Sequence, residues 1–283
     1  MTSARCADLS LEAGESLAAT ATTAEHWLLV EVPGNWPRDV SVDGSLPAPA
    51  HQAVTAWLER TPGSRLLFIR RPGRAAARSL AFVVHAAEST AAVRRIELEQ
   101  LDDLVHVNFE SDGDRTDQQL VLVCGHGTRD ACCALRGVAV YGALAAKMAG
   151  HEELWISSHQ GGHRFAANVL VLPTGLQFGR VDPAEAPLVV ARALAGRIEL
   201  ERYRGRTCYA PRAQAAERVL REAKELEGAS DLRLVAVEDG LVRFRGWDGS
   251  TYAATVDDVV GPSVPASCGV EPEPQKAFSA RLA

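Results

Sequence analysis

The chain has 283 residues, 47% hydrophobic and 23% charged, a composition typical of globular rather than disordered or fibrous proteins. Its formal net charge of −6 argues against a non-specific nucleic-acid binder, because such proteins are basic. Residues 1–25 contain no charged start followed by an apolar run, and the longest apolar stretch, 137–146, is too short to span a bilayer. These features predict a soluble cytoplasmic protein that has neither nucleic acid nor a membrane as partner.

The first third of the chain alternates strand and helix patterns. Apolar runs at 26–32, 65–69 and 80–85 predict buried strands, and the apolar spacing over 48–60 predicts a helix. The polar stretch 110–119 predicts a domain boundary. We therefore expect an N-terminal α/β domain over residues 1–115, which could be a degenerate thioredoxin-like copy of the domain after it.

The middle of the chain, residues 116–200, predicts the order β-α-β-β-β-α. Asp130 and Asp182 are the expected N-caps of its two helices, and Pro173-Thr174-Gly175 is the expected turn of a hairpin. Four strands are expected, at 120–123, 154–157, 168–172 and 175–180. This order is compatible with a thioredoxin-like layer and also with other α+β sheets.

The last third, residues 201–283, predicts a small extension of one helix and a hairpin followed by a proline-rich tail. The helix is expected over 211–227. Asp239-Gly240 separates two apolar strand patterns, as hairpin turns do, and Asp248-Gly249 precedes a third. Residues 261–283 contain four prolines and are expected to be extended.

Side chains that bind soft metals are concentrated in the middle segment. Cys124 follows a predicted strand, and Cys133 lies nine positions later at the start of a helix; His159 and His163 then form an H-x3-H pair around two glycines. Two thiolates and two imidazoles suit a tetrahedral site that holds either zinc or an iron–sulfur cluster, and the spacing alone does not choose between them.

The flanking residues of these two pairs resemble those of the sucrase/ferredoxin-like proteins. The resemblance rests on Cys124-Gly-His-Gly-Thr-Arg-Asp-Ala-Cys-Cys133 and on Ser157-Ser-His-Gln-Gly-Gly-His-Arg-Phe-Ala-Ala-Asn168. It implies a thioredoxin-like ferredoxin domain with a [2Fe–2S] cluster on four ligands, namely Cys124, Cys133, His159 and His163. The fold class implied is α/β (α+β), with a second α/β domain before the ferredoxin domain.

The function that follows from the resemblance is one-electron transfer to or from a redox partner protein, by a carrier rather than a stand-alone enzyme. Neutral imidazole ligands would raise the cluster potential above that of an all-cysteine cluster, and reduction would couple to proton uptake at His159 or His163. The alternatives are a thiol-based oxidoreductase that uses Cys132 or Cys133, and a zinc-stapled interaction module. The sequence shows no nucleophile signature or carboxylate pair, so we nominate no catalytic residue.

The other cysteines and histidines carry weaker expectations. Adjacent helical residues point about 100° apart, so we expect Cys132 to be a small buried side chain that faces away from the ligands. We expect His126 to be exposed and Cys6, Cys208 and Cys268 to be free thiols. Arg129 and Arg164 flank the ligand pairs, and four arginines form a basic turn, either solvated or a docking patch: Arg70, Arg71, Arg74 and Arg78.

Overall fold

A computed structural model describes residues 5–42, 46–73, 78–148 and 152–283. The helices are α1 (Cys6–Glu12), α2 (Ala48–Arg60), α3 (Val138–Lys147), α4 (Ala186–Leu194) and α5 (Pro211–Lys224). A π turn covers Cys133–Gly137, and short 3₁₀ turns cover Leu101–His106, His163–Phe165 and Leu200–Arg202. The strands are β1 (His26–Glu31), β2 (Ser64–Arg70), β3 (Ser79–His85), β4 (Ala92–Leu98), β5 (Asp114–Thr116), β6 (Leu120–Cys124), β7 (Leu154–Ser157), β8 (Val169–Leu172), β9 (Leu176–Phe178), β10 (Tyr203–Arg206), β11 (Leu232–Glu238), β12 (Leu241–Gly246), β13 (Thr251–Pro265) and β14 (Pro272–Leu282).

Ten strands form one mixed sheet in the order β10-β9-β8-β6-β7-β2-β1-β3-β4-β5. Its two halves have the same arrangement. In the first half β1 is parallel to β2 and antiparallel to β3, and in the second β6 is parallel to β7 and antiparallel to β8. The halves meet where β2 and β7 pair antiparallel, with Ile69 opposite Ser157. The chain thus forms the mixed α/β structure with a large sheet that the sequence predicts.

The sheet is buried on both faces, as the apolar runs in its central strands require. In β1, Leu28 and Val30 pack under α2 beside Trp57, whereas Trp27 and Leu29 point to the opposite face. This alternation follows from the two-residue repeat of a strand. Each such side chain stabilises the fold by about 1.5–3 kcal/mol on burial, so the central strands anchor the molecule.

The C-terminal third forms a second sheet, in the order β11-β12-β13-β14. Helix α5 packs on it through an apolar face that includes Ala213, Ala216 and Leu220. The proline-rich tail is not merely extended: β13 and β14 pair antiparallel up to Pro265 opposite Pro272. The tail is extended, as predicted, and it adds a fourth strand to this sheet; the last turn of the sheet contains Cys268.

Several elements have no clear sequence pattern. Helix α1 has seven residues, and a helix of that length depends on tertiary packing for its stability. Strand β4 mixes Arg and Glu with apolar residues because it lies near the edge of the sheet, where one face meets water. None of the helices in the described ranges is long and apolar enough to cross a membrane.

Candidate metal centre

The two sequence-predicted cysteine ligands meet at the carboxyl end of β6. Cys124 is the last residue of β6, and Cys133 begins the π turn that leads into α3. Gly137, at the end of that turn, lies so close to the strand that an added Cβ would be 1.9 Å from the Cys124 carbonyl oxygen. Only glycine permits this close approach of the π turn to the strand. The close approach in turn brings Cys133 within reach of Cys124. π turns recur at functional sites.

The two buried thiols shift each other's pKa. The neighbouring Cys133 thiol, the His159 side chain and the Gln160 backbone amide lower the pKa of Cys124, whereas burial opposes this. The neighbouring Cys124 thiol and burial raise the pKa of Cys133. The deprotonated form of a cysteine is the one that binds metal.

The histidine pair lies on the loop between β7 and β8. Gly161 and Gly162 both have positive φ, +94° and +68°, which lets the loop turn back over the sheet. The ligand atoms of Cys124, Cys133 and His159 all lie within 4.8 Å of one another. His163 lies beside this trio, with its ring centroid 4.9 Å from that of His159 and its Nε2 3.8 Å from Asp130 Oδ2.

The donor set fits a metal or a cluster. Cys124 and Cys133 are free thiols. The Nδ1 atoms of His159 and His163 are buried and have no hydrogen-bond partner among the described residues. Burying an imidazole nitrogen without a hydrogen-bond partner costs free energy unless another group binds that nitrogen. Next to thiolates, the group that commonly binds an imidazole nitrogen is a metal ion.

His126 contradicts the expectation of an exposed side chain. It is 2% exposed, and its ring lies edge-on to Trp36. Its Nε2 donates to the Pro37 carbonyl oxygen at 2.8 Å, and its Nδ1 accepts the backbone N–H of His159 at 3.1 Å. Burial lowers the pKa of His126. His126 thus positions His159.

Arg204 donates hydrogen bonds that hold the loop containing Gly161 and Gly162. No sequence motif marks this arginine as part of the site. It is 2% exposed; its Nη1 donates to Gly161 O at 3.0 Å and to Asn168 Oδ1 at 2.8 Å, while Asn168 Nδ2 donates to Gly162 O at 2.9 Å. Burial lowers the pKa of Arg204 to about 9. Only the position of β10 beside β9 brings this arginine to the loop, so no local motif could have identified it.

The flanking arginines differ in their surroundings. Arg164 forms a largely buried ion pair with Glu15, with Nε 2.9 Å from Oε1, and is therefore part of the packing. Arg129 lines a cavity of about 310 Å³ beside the candidate centre, together with Arg38, Arg65 and His159. Among the predicted ligands, His159 lines this cavity, whereas His163 does not line it and is 8% exposed.

The described arginines of the basic turn contact aromatic rings or carboxylates of the same chain. Arg70 lies over the Trp36 ring and Arg71 over the Trp155 ring. Arg78 pairs with Glu97 and Glu99. Arg74, the fourth arginine of this turn, lies outside the described residues, as does His151. The contacts favour a structural role over a docking patch.

The cysteines outside the predicted ligand set are free thiols, as expected for Cys6, Cys208 and Cys268. The sequence did not predict that the sulfur atoms of Cys6 and Cys268 both lie against that of Cys132. Cys132 is buried, as expected. It does not pack only as an apolar side chain, however, because its sulfur atom contacts those of Cys6 and Cys268. Cys208 remains a half-buried free thiol.

Residues 17–205 match the family model described as sucrase/ferredoxin-like. That range contains both ligand pairs and more than half of the chain. The chain belongs to the sucrase/ferredoxin-like family. No solved structure matches it significantly.

Three yeast relatives are called "Altered inheritance of mitochondria protein 32". The protein from Meyerozyma guilliermondii is 29% identical over 118 residues, 38% of this chain and 42% of the relative. That from Eremothecium gossypii is 34% identical over 106 residues, 33% and 34% of the two chains. That from Clavispora lusitaniae is 35% identical over 98 residues, 32% and 36%. The matches thus span less than half of the length of each relative.

These relatives overturn the predicted function. The sequence predicts a one-electron transfer protein, whereas the relatives are named for an effect on mitochondrial inheritance, and none of the three names describes an iron–sulfur electron carrier. Neither alternative, the thiol oxidoreductase or the zinc-stapled interaction module, finds support in those names. A redox partner protein and a cytoplasmic location remain predictions.

Proposed function

We propose that this protein binds a [2Fe–2S] cluster through Cys124, Cys133, His159 and His163. The convergence of two thiols and His159 within 4.8 Å at one strand end, with a second imidazole beside them, carries the proposal. Membership of the sucrase/ferredoxin-like family favours a cluster over a single zinc ion at these residues. When bound, such a cluster supplies an iron centre whose visible absorption and potential depend on its ligands.

The fold of the second half supports a thioredoxin-like ferredoxin domain, predicted over residues 116–200. The order β6-α3-β7-β8-β9-α4, with β8 and β9 paired antiparallel before α4, is compatible with that layer. The matching strand arrangement of the first half supports the proposal that residues 1–115 form a degenerate copy. In that copy the loop between β2 and β3 contains no cysteine or histidine, so the ligands belong to the second half alone.

The surrounding residues of the chain orient the ligands. Cys124 and Cys133 bind metal as thiolates, so metal binding releases protons from the site. His126 fixes the backbone of His159, and the buried Arg204 and Asn168 fix the carbonyl groups of the loop that carries both histidines. Such outer contacts commonly change metal affinity by about 10–100-fold when removed.

The test is metal analysis of the full chain isolated without oxygen. We expect a red-brown protein with two iron and two acid-labile sulfide ions per chain, and loss of colour in four single variants: Cys124→Ala, Cys133→Ala, His159→Ala and His163→Ala. Cys208→Ser and His106→Ala serve as controls, since Cys208 lies outside the ligand group and His106 is exposed. A colourless protein, zinc in place of iron at these residues, or colour that survives all four changes would refute the proposal.

A further inference from the structure

Three cysteines from distant parts of the chain form a second cluster. Cys6 opens α1, Cys132 immediately precedes the π turn, and Cys268 lies in the turn between β13 and β14. Their sulfur atoms form a nearly equilateral triangle, with separations of 3.6 Å for Cys6–Cys132 and 3.5 Å for both Cys132–Cys268 and Cys268–Cys6. All three are free thiols.

Asp130 supplies a carboxylate to the same cluster. Its Oδ1 lies 3.4 Å from Cys268 Sγ and 3.8 Å from Cys6 Sγ. The backbone amides of Cys132 and Cys268 donate to its two oxygens at 2.8 and 2.9 Å, and Ser267 Oγ donates to Oδ2 at 3.0 Å. These three hydrogen bonds hold the carboxylate rigidly in place.

The distances are those of a tetrahedral site for one ion. Zinc binds thiolate at about 2.3 Å and carboxylate oxygen at about 2.0 Å, so a tetrahedron has S···S edges of about 3.8 Å and S···O edges of about 3.5 Å. The observed edges are 3.5–3.6 Å for sulfur pairs and 3.4–3.8 Å for the sulfur–oxygen pairs of Cys6 and Cys268. A polynuclear iron–sulfur cluster distributes cysteines over several irons and holds their sulfurs further apart.

We propose that Cys6, Cys132, Cys268 and Asp130 bind one Zn²⁺ ion. Three thiolates and one carboxylate fill the four positions of a structural zinc site, and a cation offsets the cost of gathering anionic groups in a buried place. Cys6 and Cys132 are fully buried and Asp130 is 4% exposed, whereas Cys268 is partly exposed, so the site is open to solvent on one side only. Zinc has no redox chemistry, so its role here is to hold protein segments together.

The ion would fasten three segments that no backbone pairing joins: α1, the start of the π turn and the β13–β14 turn. Two of its four ligands, Cys6 and Cys268, lie outside residues 17–205 and thus outside the family match. Asp130 also lies 3.8 Å from His163, and Cys132 is the neighbour of Cys133. The zinc site therefore supports the segment that carries the candidate centre, although its existence does not rest on a cluster being bound there.

The first test is the zinc content of the full chain and its variants. We expect one zinc per chain in the natural sequence, and its loss in Cys6→Ser, Cys132→Ser and Cys268→Ser. Cys208→Ser is the matched control and retains zinc. Asp130→Cys replaces the carboxylate with a fourth thiolate and retains zinc, whereas Asp130→Ala lowers zinc affinity at least about tenfold. Cys124→Ser separates the two proposals, because it removes iron and leaves this zinc in place.

The second test uses the natural sequence and needs no variant to fold. Cys268 is partly exposed, so an alkylating reagent reaches it. Bound zinc should protect it, and a chelator should raise its alkylation rate at least about tenfold without changing that of Cys208. The proposal is overturned if the protein binds no zinc after incubation with it, if zinc persists in all three serine variants, or if intact mass shows a disulfide between two of the three cysteines.

Discussion

Replacing Gly137 with alanine tests whether the close approach of the π turn to β6 builds the candidate centre. The new Cβ would lie 1.9 Å from the Cys124 carbonyl oxygen and 2.9 Å from its carbonyl carbon. Non-bonded Cβ contacts below 3.0 Å are essentially never seen, so the turn must withdraw from the strand by about 1 Å. Cys124 is 1% exposed and paired within the sheet, so its carbonyl group has no space to move.

The expected cost of Gly137→Ala is at the upper end of the range for overpacking, about 3 kcal/mol. For a chain of this size that lowers the melting temperature by roughly 6–12 °C. Withdrawal of the turn also separates Cys133 from Cys124, so we expect the protein to lose bound iron. Thermal unfolding of the metal-free protein and iron analysis of the protein as isolated measure the two effects separately.

Gly142→Ala is the matched control, because it makes the same change in the following helix. Gly142 is exposed in α3 and an added Cβ has nothing within 4 Å. Alanine should stabilise the helix there by about 1 kcal/mol and raise the melting temperature by roughly 2–4 °C. If the Gly137→Ala variant has the same melting temperature as the unchanged protein and keeps its metal, the close approach does not position Cys133 and the reasoning fails.

Three further predictions concern a buried ion pair, a histidine and the ligand set. Glu217→Ala leaves Arg221 charged and fully buried without its partner at 2.9 Å, and should lower the free energy of unfolding by about 3–5 kcal/mol in denaturant titrations. Burial and the stacked His85 lower the pKa of His26 in the folded state, although Glu25 opposes this, so its protonation favours unfolding. Stability should therefore fall as pH drops below about 6.5, the unfolded-state value, and less steeply in His26→Gln; equal slopes for both proteins would contradict this. His163→Cys should retain the cluster, alter its visible spectrum and lower its potential, and an unchanged spectrum and potential would remove His163 from the ligand set.

Much of the secondary structure was predictable because local patterns encode it. The helix over 48–60 and the strand over 154–157 have the predicted bounds, since alternation, proline and buried runs act within a few residues. The Asp130 cap was also predictable, and its Oδ1 accepts the Cys132 amide at 2.8 Å. The short helix α1 and strand β10 were not predictable, because neither has a periodic apolar pattern and both depend on packing against distant segments.

The sequence by itself determined which metal-binding side chains the candidate centre contains and how they are spaced along the chain. It also predicted that Cys132 and Cys133 point in different directions, and the structure places Cys133 beside Cys124 and Cys132 beside Cys6 and Cys268. Only the tertiary structure decided where Cys132 points. Cys6 and Cys268 are 262 positions apart, yet their sulfur atoms are 3.5 Å apart. Spacing rules describe ligands on one loop or helix, whereas these ligands meet because α1 and the last hairpin pack against the start of the π turn. The buried Arg204 and the His126 contact with His159 have the same origin, since both depend on which strands are neighbours in the sheet.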